Sequence, residues 1–158
     1  PMEKLMHNEP IFTYHSNQEV LDAAIDIIQE RFKRTAIFTN VDDTKLFLAC
    51  KMANYSREVF SVLLLDSQHQ LLEYKELFFG TIDSASVYPR EIAKAALESN
   101  AVAVILAHNH PSGIAEPSQA DIAITEKIQR ALSLIDIRTL DHIIMGKSQT
   151  SLAERGYL

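Results

Sequence analysis

Residues Ala101-Val102-Ala103-Val104-Ile105-Leu106-Ala107 run without a polar side chain and end in His108-Asn109-His110-Pro111-Ser112-Gly113. Seven apolar residues closed by a Pro/Gly turn read as a strand buried on both faces. Alternation along its end points His108 and His110 to the same side, where two imidazoles can meet one ion. Counting on from His110, seven residues precede Ser118 and two more precede Asp121, which gives the pattern H-x-H-x7-S-x2-D. Two histidines and a carboxylate suit zinc and leave one tetrahedral position for water, which separates a catalytic site from a structural one. A zinc ion held this way lowers the pKa of water from about 15.7 to roughly 7. Hydrolysis is the natural chemistry of such a set.

Each candidate has a plainer alternative. A single loop histidine usually bonds to backbone; the i, i+2 pair with a spaced Ser and Asp is what favours ligation here. Ser118-x-x-Asp121 is also a helix-capping pair, with Asp121 at the third helical position facing the N-terminal amides. The two roles are compatible, because a carboxylate in a first turn is held rigidly enough to ligate. Asp141 and His142 either orient a ligand histidine from behind or make a buried structural hydrogen bond. Ser112 and Gly113 shape the turn, with Ser112 and Asn109 as candidate substrate contacts. His7, His15 and His69 carry no signal.

At 158 residues and 47% apolar content, the chain is long enough for one domain with a real core and too short for two. Residues 1–15 lack a clear period and are expected to form an N-terminal arm, leaving residues 16–158 as a single domain. Ser16-x-x-Glu19 opens a helix as a capping box, and Val20, Leu21, Ala24, Ile25, Ile28 and Phe32 fall on one apolar stripe. A second helix is expected over about residues 42–54, with Leu46, Phe47, Cys50 and Ala53 inward. Phe60–Leu65 and Leu71–Phe79 read as a hairpin around the polar turn at residues 66–70. Pro89 suits the first turn of a helix running to about Ser99, burying Ile92, Ala95 and Ala96. Ser118 begins a helix to about Leu134 through Ile122, Thr125, Ile128 and Leu132. Ile137–Met145 reads as the final strand, before a turn opened by Ser151-x-x-Glu154. The order is that of an α/β fold, a mixed sheet sandwiched by helices.

Here the residues reach a family resemblance. H-x-H-x7-S-x2-D resembles the JAMM (MPN-plus) metalloprotease motif, and the chain is more specifically similar to RadC-like proteins. The matching segments are Arg57-Glu58-Val59-Phe60, Gly80-Thr81-Ile82-Asp83, Tyr88-Pro89-Arg90-Glu91, Asn100-Ala101, the His108 to Gly113 turn, Pro117-Ser118, Leu140-Asp141-His142 and Glu154-Arg155-Gly156, spread from Ser16 to Leu158. The resemblance implies an MPN fold with an additional N-terminal helix, and zinc held by His108, His110 and Asp121. It also implies a general base upstream, for which Glu58 at the mouth of an apolar strand is the candidate. From the residues alone, Glu58 is equally a solvated charge paired with Arg57. Ser118 would be a hydrogen-bond donor to the reacting carbonyl. Many JAMM peptidases carry Ser or Thr where Asn109 stands, but the RadC-like branch shows the same H-N-H-P-S-G. Longer RadC relatives carry an N-terminal helix-hairpin-helix module for which this chain has no room.

The leading expectation is a zinc-dependent metallopeptidase or isopeptidase-like hydrolase acting on an unidentified peptide or isopeptide. The alternative that the resemblance also carries is a DNA-repair-associated accessory protein, or a metal-stabilised interaction module without turnover. A nucleobase deaminase is disfavoured, because its Pro-Cys-x-x-Cys ligand pair cannot be built from the one cysteine, Cys50. A lone cysteine fits a reducing compartment, and no leader signal or membrane-length apolar stretch is present, so a cytoplasmic chain with no membrane partner is expected. Fifteen basic against 21 acidic residues give a net charge of −6, which works against attraction to a polyanion. Arg31, Lys33 and Arg34 form the one tight basic cluster and fit a solvated helix end. Direct DNA binding by this chain is therefore expected to be weak or absent. Titration against duplex and single strands at low and moderate salt checks this; sub-micromolar binding with a steep negative salt slope would contradict it.

Overall fold

The apolar run folds as the middle strand of a sheet, and everything that positions the candidate site is built around it. The computed structural model describes residues 16–35, 40–83 and 86–158; the arm expected over residues 1–15 and the side chains of Phe32, Lys33 and Arg34 lie outside the described residues. Among the described residues the strands are β1 (Val59–Leu65), β2 (Leu71–Phe79), β3 (Ala103–Asn109), β4 (Arg138–Met145) and β5 (Gln149–Ser151). The helices are α1 (Asn17–Thr35), α2 (Val41–Met52), α3 (Pro89–Glu98) and α4 (Gln119–Ser133). The strand order is β2-β1-β3-β4-β5. Only β3 and β4 run parallel, joined through α4; the other neighbours are antiparallel.

Both β1 and β3 are buried at every residue, as a run without alternation requires. Successive β3 side chains serve opposite layers. Ala103, Ile105 and Ala107 pack with Ile25, Ile28, Phe47, Leu48 and Met52 of α1 and α2. Val104 and Leu106 pack with Ile92, Ala96, Ile124, Ile128 and Leu132 of α3 and α4. Each such Leu, Ile or Phe contributes roughly 1.5–3 kcal/mol by leaving water. This is the MPN-like α/β architecture, with α1 as the additional N-terminal helix.

The hairpin between β1 and β2 closes as the polar turn requires: Asp66 Oδ1 accepts from the N–H groups of Gln68 and Gln70 at 2.9 and 2.8 Å. The α2 stripe differs from the expected one. Thr44, Phe47, Leu48 and Met52 are buried, whereas Leu46 is 47% exposed and Ala53 lies exposed beyond the helix. Phe47 belongs to both stripes, and at 100° per residue Leu46 and Leu48 point to opposite sides; packing onto α1 and the sheet selects the second. Val20 is likewise exposed, while Ile25 and Ile28 carry the α1 contact. The last strand is also not β4: after Gly146 the chain turns back into β5, whose three residues are too short to show a period.

One irregularity matters for the site. Val104 pairs with Thr139 but Ile105 pairs with Asp141, so Leu140 is an extra residue in β4. A bulge of this kind moves every later side chain to the other face. His142 thereby lies level with Leu106 on the α3/α4 side, two residues short of His108.

Asp141 ties the C-terminal end of the sheet together. Its Oδ1 accepts from the N–H groups of His142 at 2.7 Å and Ala153 at 3.0 Å, and its Oδ2 accepts from the Ser151 hydroxyl at 2.5 Å. Asp141→Ala should therefore lower the unfolding free energy by roughly 2–4 kcal/mol, because it strands buried donors as well as removing the carboxylate. Chemical denaturation checks this, and a loss under about 1 kcal/mol would contradict the account.

Candidate metal centre

His108 is the last histidine-bearing position inside β3, and His110 follows one residue beyond it, where its backbone N–H still bonds to Met145 O at 2.7 Å. Two residues apart on extended backbone, the imidazoles point the same way, with ring centroids 4.6 Å apart. Asp121 comes from the first turn of α4 and meets them from the opposite side. His108 Nε2 lies 3.4 Å from Asp121 Oδ1, and His110 Nε2 lies 3.5 Å from Oδ2. One ligand atom from each of the three residues falls within 4.8 Å of the others. Zinc bonds near 2.05 Å place neighbouring tetrahedral ligands about 3.3 Å apart, so the spacing suits an ion of that size.

Asp121 serves two roles at once. Ser118 Oγ accepts from Asp121 N–H at 3.1 Å while Asp121 Oδ2 accepts from Ser118 N–H at 2.7 Å, a complete capping box. That fixes the carboxylate and leaves Oδ1 turned to His108. Ser118 itself is exposed at the rim, and with Oγ accepting the amide it keeps its own proton to donate.

The charges are arranged for a cation. Burial drives the His108 pKa down to about 4, against the pull of Asp121. The hydrogen bond to Asp121 raises that of His110, against its partial burial. Burial pushes the Asp121 carboxyl up, but His110, His108 and the Ser118 donors outweigh it and hold it below the usual range. The outer nitrogens are occupied: His110 Nδ1 faces Ile114 O at 2.7 Å, and His108 Nδ1 faces His142 Nε2 at 3.2 Å. Phe60 stacks on His108 at 5.9 Å and meets His142 edge-on, so neither ring is free to swing.

Phe60 pairs with His108 across the β1–β3 ladder, and continuing that antiparallel register two residues sets Glu58 against His110 on the same face. The Glu58 carboxylate accepts from Ile82 N–H at 2.6 Å, and its charge contributes to raising the His110 pKa. Arg57 turns instead over the Phe79 ring at 4.8 Å. Asn109 supports this edge: its Oδ1 accepts from Val59 N–H at 2.7 Å and its Nδ2 donates to Arg57 O at 2.9 Å, clamping the backbone on both sides of Glu58. Ser112 Oγ accepts from Ile114 N–H at 3.3 Å and so belongs to the turn. A cavity of about 420 Å³ opens beside His110, lined by Ala49, Met52, Ala53, Tyr55, Met145 and Lys147 among others. Its lining includes Asn109 and His110 but not His108, Asp121, Ser118 or Glu58, so it lies to one side of the cluster. At Gly146, on its wall, a Cβ would lie 2.5 Å from Gly113 O.

Of the residues that the sequence singles out, the fold gathers ligand atoms of His108, His110 and Asp121 within 4.8 Å of one another, sets Ser118 at the cap of Asp121 and His142 against His108 Nδ1, and leaves Glu58 in register with His110 without a direct contact to the cluster among the described residues. Sequence reasoning reads Thr125 as a core residue only. Thr125 Oγ1 in fact donates to Asp121 O and contacts His142 Nδ1, both at 2.6 Å. The available signal was a hydroxyl on a buried helical stripe one turn after Asp121.

An α/β sandwich with two histidines at the end of its middle strand and a carboxylate from the facing helix start has the fold of the JAMM/MPN superfamily and a cluster consistent with its type of metal site. A family model described as the RadC-like JAB domain matches residues 38–157. Two UPF0758 proteins of Vibrio cholerae serotype O1 are 57% identical over 139 residues, covering 88% of both chains, and 55% identical over 144 residues, covering 91% of this chain and 92% of the relative. A UPF0758 protein of Marinomonas sp. is 56% identical over 144 residues, and the match covers 64% of that longer relative. The chain belongs to the RadC-like JAB-domain family. No described helix is long and apolar enough to cross a membrane.

The donor set predicts about one zinc per chain, abolished by His108→Ala or His110→Ala. Free zinc at 100-fold its Kd should add about 2.7 kcal/mol to the unfolding free energy of the wild-type chain. Metal analysis after equilibrium dialysis, with thermal melts at graded free zinc, checks both; either variant holding zinc as the wild type does would contradict the ligand assignment.

Proposed function

We propose that this chain is a zinc-dependent hydrolase that cleaves an amide, a peptide or isopeptide bond, with His108, His110 and Asp121 as ligands and Glu58 as general base. The observation that carries the reading is the pairing of a three-ligand cluster with a carboxylate beside it that is not part of the cluster. Three protein ligands leave a coordination position open, and zinc held there supplies the Lewis acidity that makes water acidic enough to lose a proton near neutral pH. The residues do the rest. The Glu58 carboxylate, fixed by Ile82 N–H and by the Asn109 clamp on its backbone, takes a proton from the attacking water and returns it to the leaving amine. The Ser118 hydroxyl, anchored at the start of α4, donates to the carbonyl oxygen as charge develops on it. Water is the nucleophile, so no acyl-enzyme on Ser or Cys is required.

Glu58→Gln keeps the shape and the hydrogen bond from Ile82 but removes the base. Hydrolysis should fall by about 10²- to 10⁴-fold while zinc content stays at the wild-type level. A screen of peptide and isopeptide-linked substrates, with chelator controls, supplies the assay. Full activity in Glu58→Gln with zinc bound would move the base to another carboxylate; no chelator-sensitive cleavage of any substrate by the wild type would remove the hydrolase reading.

A further inference from the structure

The contact between Thr125 and Asp121 sets a direction of hydrogen bonding that runs back through two imidazoles to the candidate ion. Thr125 Oγ1 lies 2.6 Å from Asp121 O and 2.6 Å from His142 Nδ1. A carbonyl only accepts, and a hydroxyl has one proton. Thr125 therefore gives its proton to Asp121 O and must accept one from His142 Nδ1. His142 is fully buried, and its ring nitrogens bond to Thr125 and His108 rather than to a carboxylate. A second proton on that ring would be a fully buried charge with no carboxylate bonded to it, so Nε2 carries only its lone pair. The proton in the 3.2 Å contact between His142 Nε2 and His108 Nδ1 then belongs to His108. A neutral imidazole with its proton on Nδ1 has none on Nε2, and Nε2 is the atom facing Asp121 Oδ1.

We infer that Thr125 and His142 are positioning residues that lock His108 in its Nδ1-protonated tautomer and so keep Nε2 bare for the metal. The relay closes on itself: it starts at the main-chain oxygen of Asp121 and ends at the histidine that shares the ion with the Asp121 carboxylate. His110 reaches the same tautomer by a separate route, through Ile114 O. Losing the Thr125 hydroxyl frees His142 to carry its proton on Nε2 and donate it to His108 Nδ1. The His108 proton then moves to Nε2, into the site, where it competes with the ion. Stacking by Phe60 prevents the His108 ring from escaping by rotation.

The inference rests on the metal-site reading, and the two fail separately. The test is the imidazole ¹⁵N spectrum of the metal-free, histidine-labelled chain at alkaline pH, followed by zinc affinity. In the wild type, His108, His110 and His142 should all carry the proton on Nδ1. Thr125→Val, nearly isosteric, should shift His108 and His142 toward the Nε2 form, leave His110 unchanged and weaken zinc binding by about 10- to 100-fold. Thr125→Ser, which keeps the hydroxyl, should restore both readouts. A wild-type His108 protonated on Nε2 overturns the inference whether or not any variant folds. So does a folded Thr125→Val with wild-type tautomers and zinc affinity. Absence of zinc binding by the wild type would overturn the metal-site reading alone, because the tautomers are read without metal.

Discussion

Two imidazole nitrogens and a carboxylate oxygen are held within 4.8 Å of one another at the end of a strand buried along its whole length. All three are electron-rich, and at that separation in a partly buried site their mutual repulsion is relieved only by a cation, a proton or a metal ion. The backbone gives them little room to move apart. His108 is fixed in the β1–β3 ladder opposite Phe60, His110 by its bond to Met145 O, and Asp121 by a capping box in the first turn of α4. Binding of an ion and stability of this end of the molecule are linked for that reason.

The same constraint organises the surroundings. An antiparallel register that sets Phe60 against His108 also delivers Glu58 to the His110 side, and the Asn109 amide holds the strand edge there with two hydrogen bonds where the ladder ends. On the other flank, the parallel pairing of β3 with β4 brings His142 behind His108. Candidate ligands, base candidate and supporting groups thus come from adjacent strands, from the residues just past their ends, and from the start of α4. Elements of this kind hold geometry more tightly than loops.

How much of this was legible in the sequence depended on whether a signal was local. Period-2 alternation alone placed His108 and His110 together, and the Ser118–Asp121 spacing exposed the capping box that fixes the third candidate ligand. The mixed sheet and its order of elements as far as β4 followed from the buried run, the hairpin turn at Asp66 and the Pro89 and Ser118 helix starts; the three-residue β5 did not. Phe47 and Cys50 of the expected α2 stripe do pack inward, whereas Leu46 and Ala53 do not, because two stripes share Phe47 and only tertiary packing chooses between them. The extra residue at Leu140, which decides that His142 rather than a neighbour meets His108, leaves no mark in composition or period. Ile82 as partner of Glu58 and Thr125 as partner of His142 depend on contacts 24 and 17 residues apart, which one chain read by itself does not display.

X-ray absorption at the zinc edge of the metal-loaded chain tests the central claim most directly. The account predicts two imidazoles and oxygen ligands at about 2.0–2.1 Å, with no sulfur in the coordination shell. A sulfur shell near about 2.3 Å, or a spectrum without the outer scattering of two imidazoles, would contradict it.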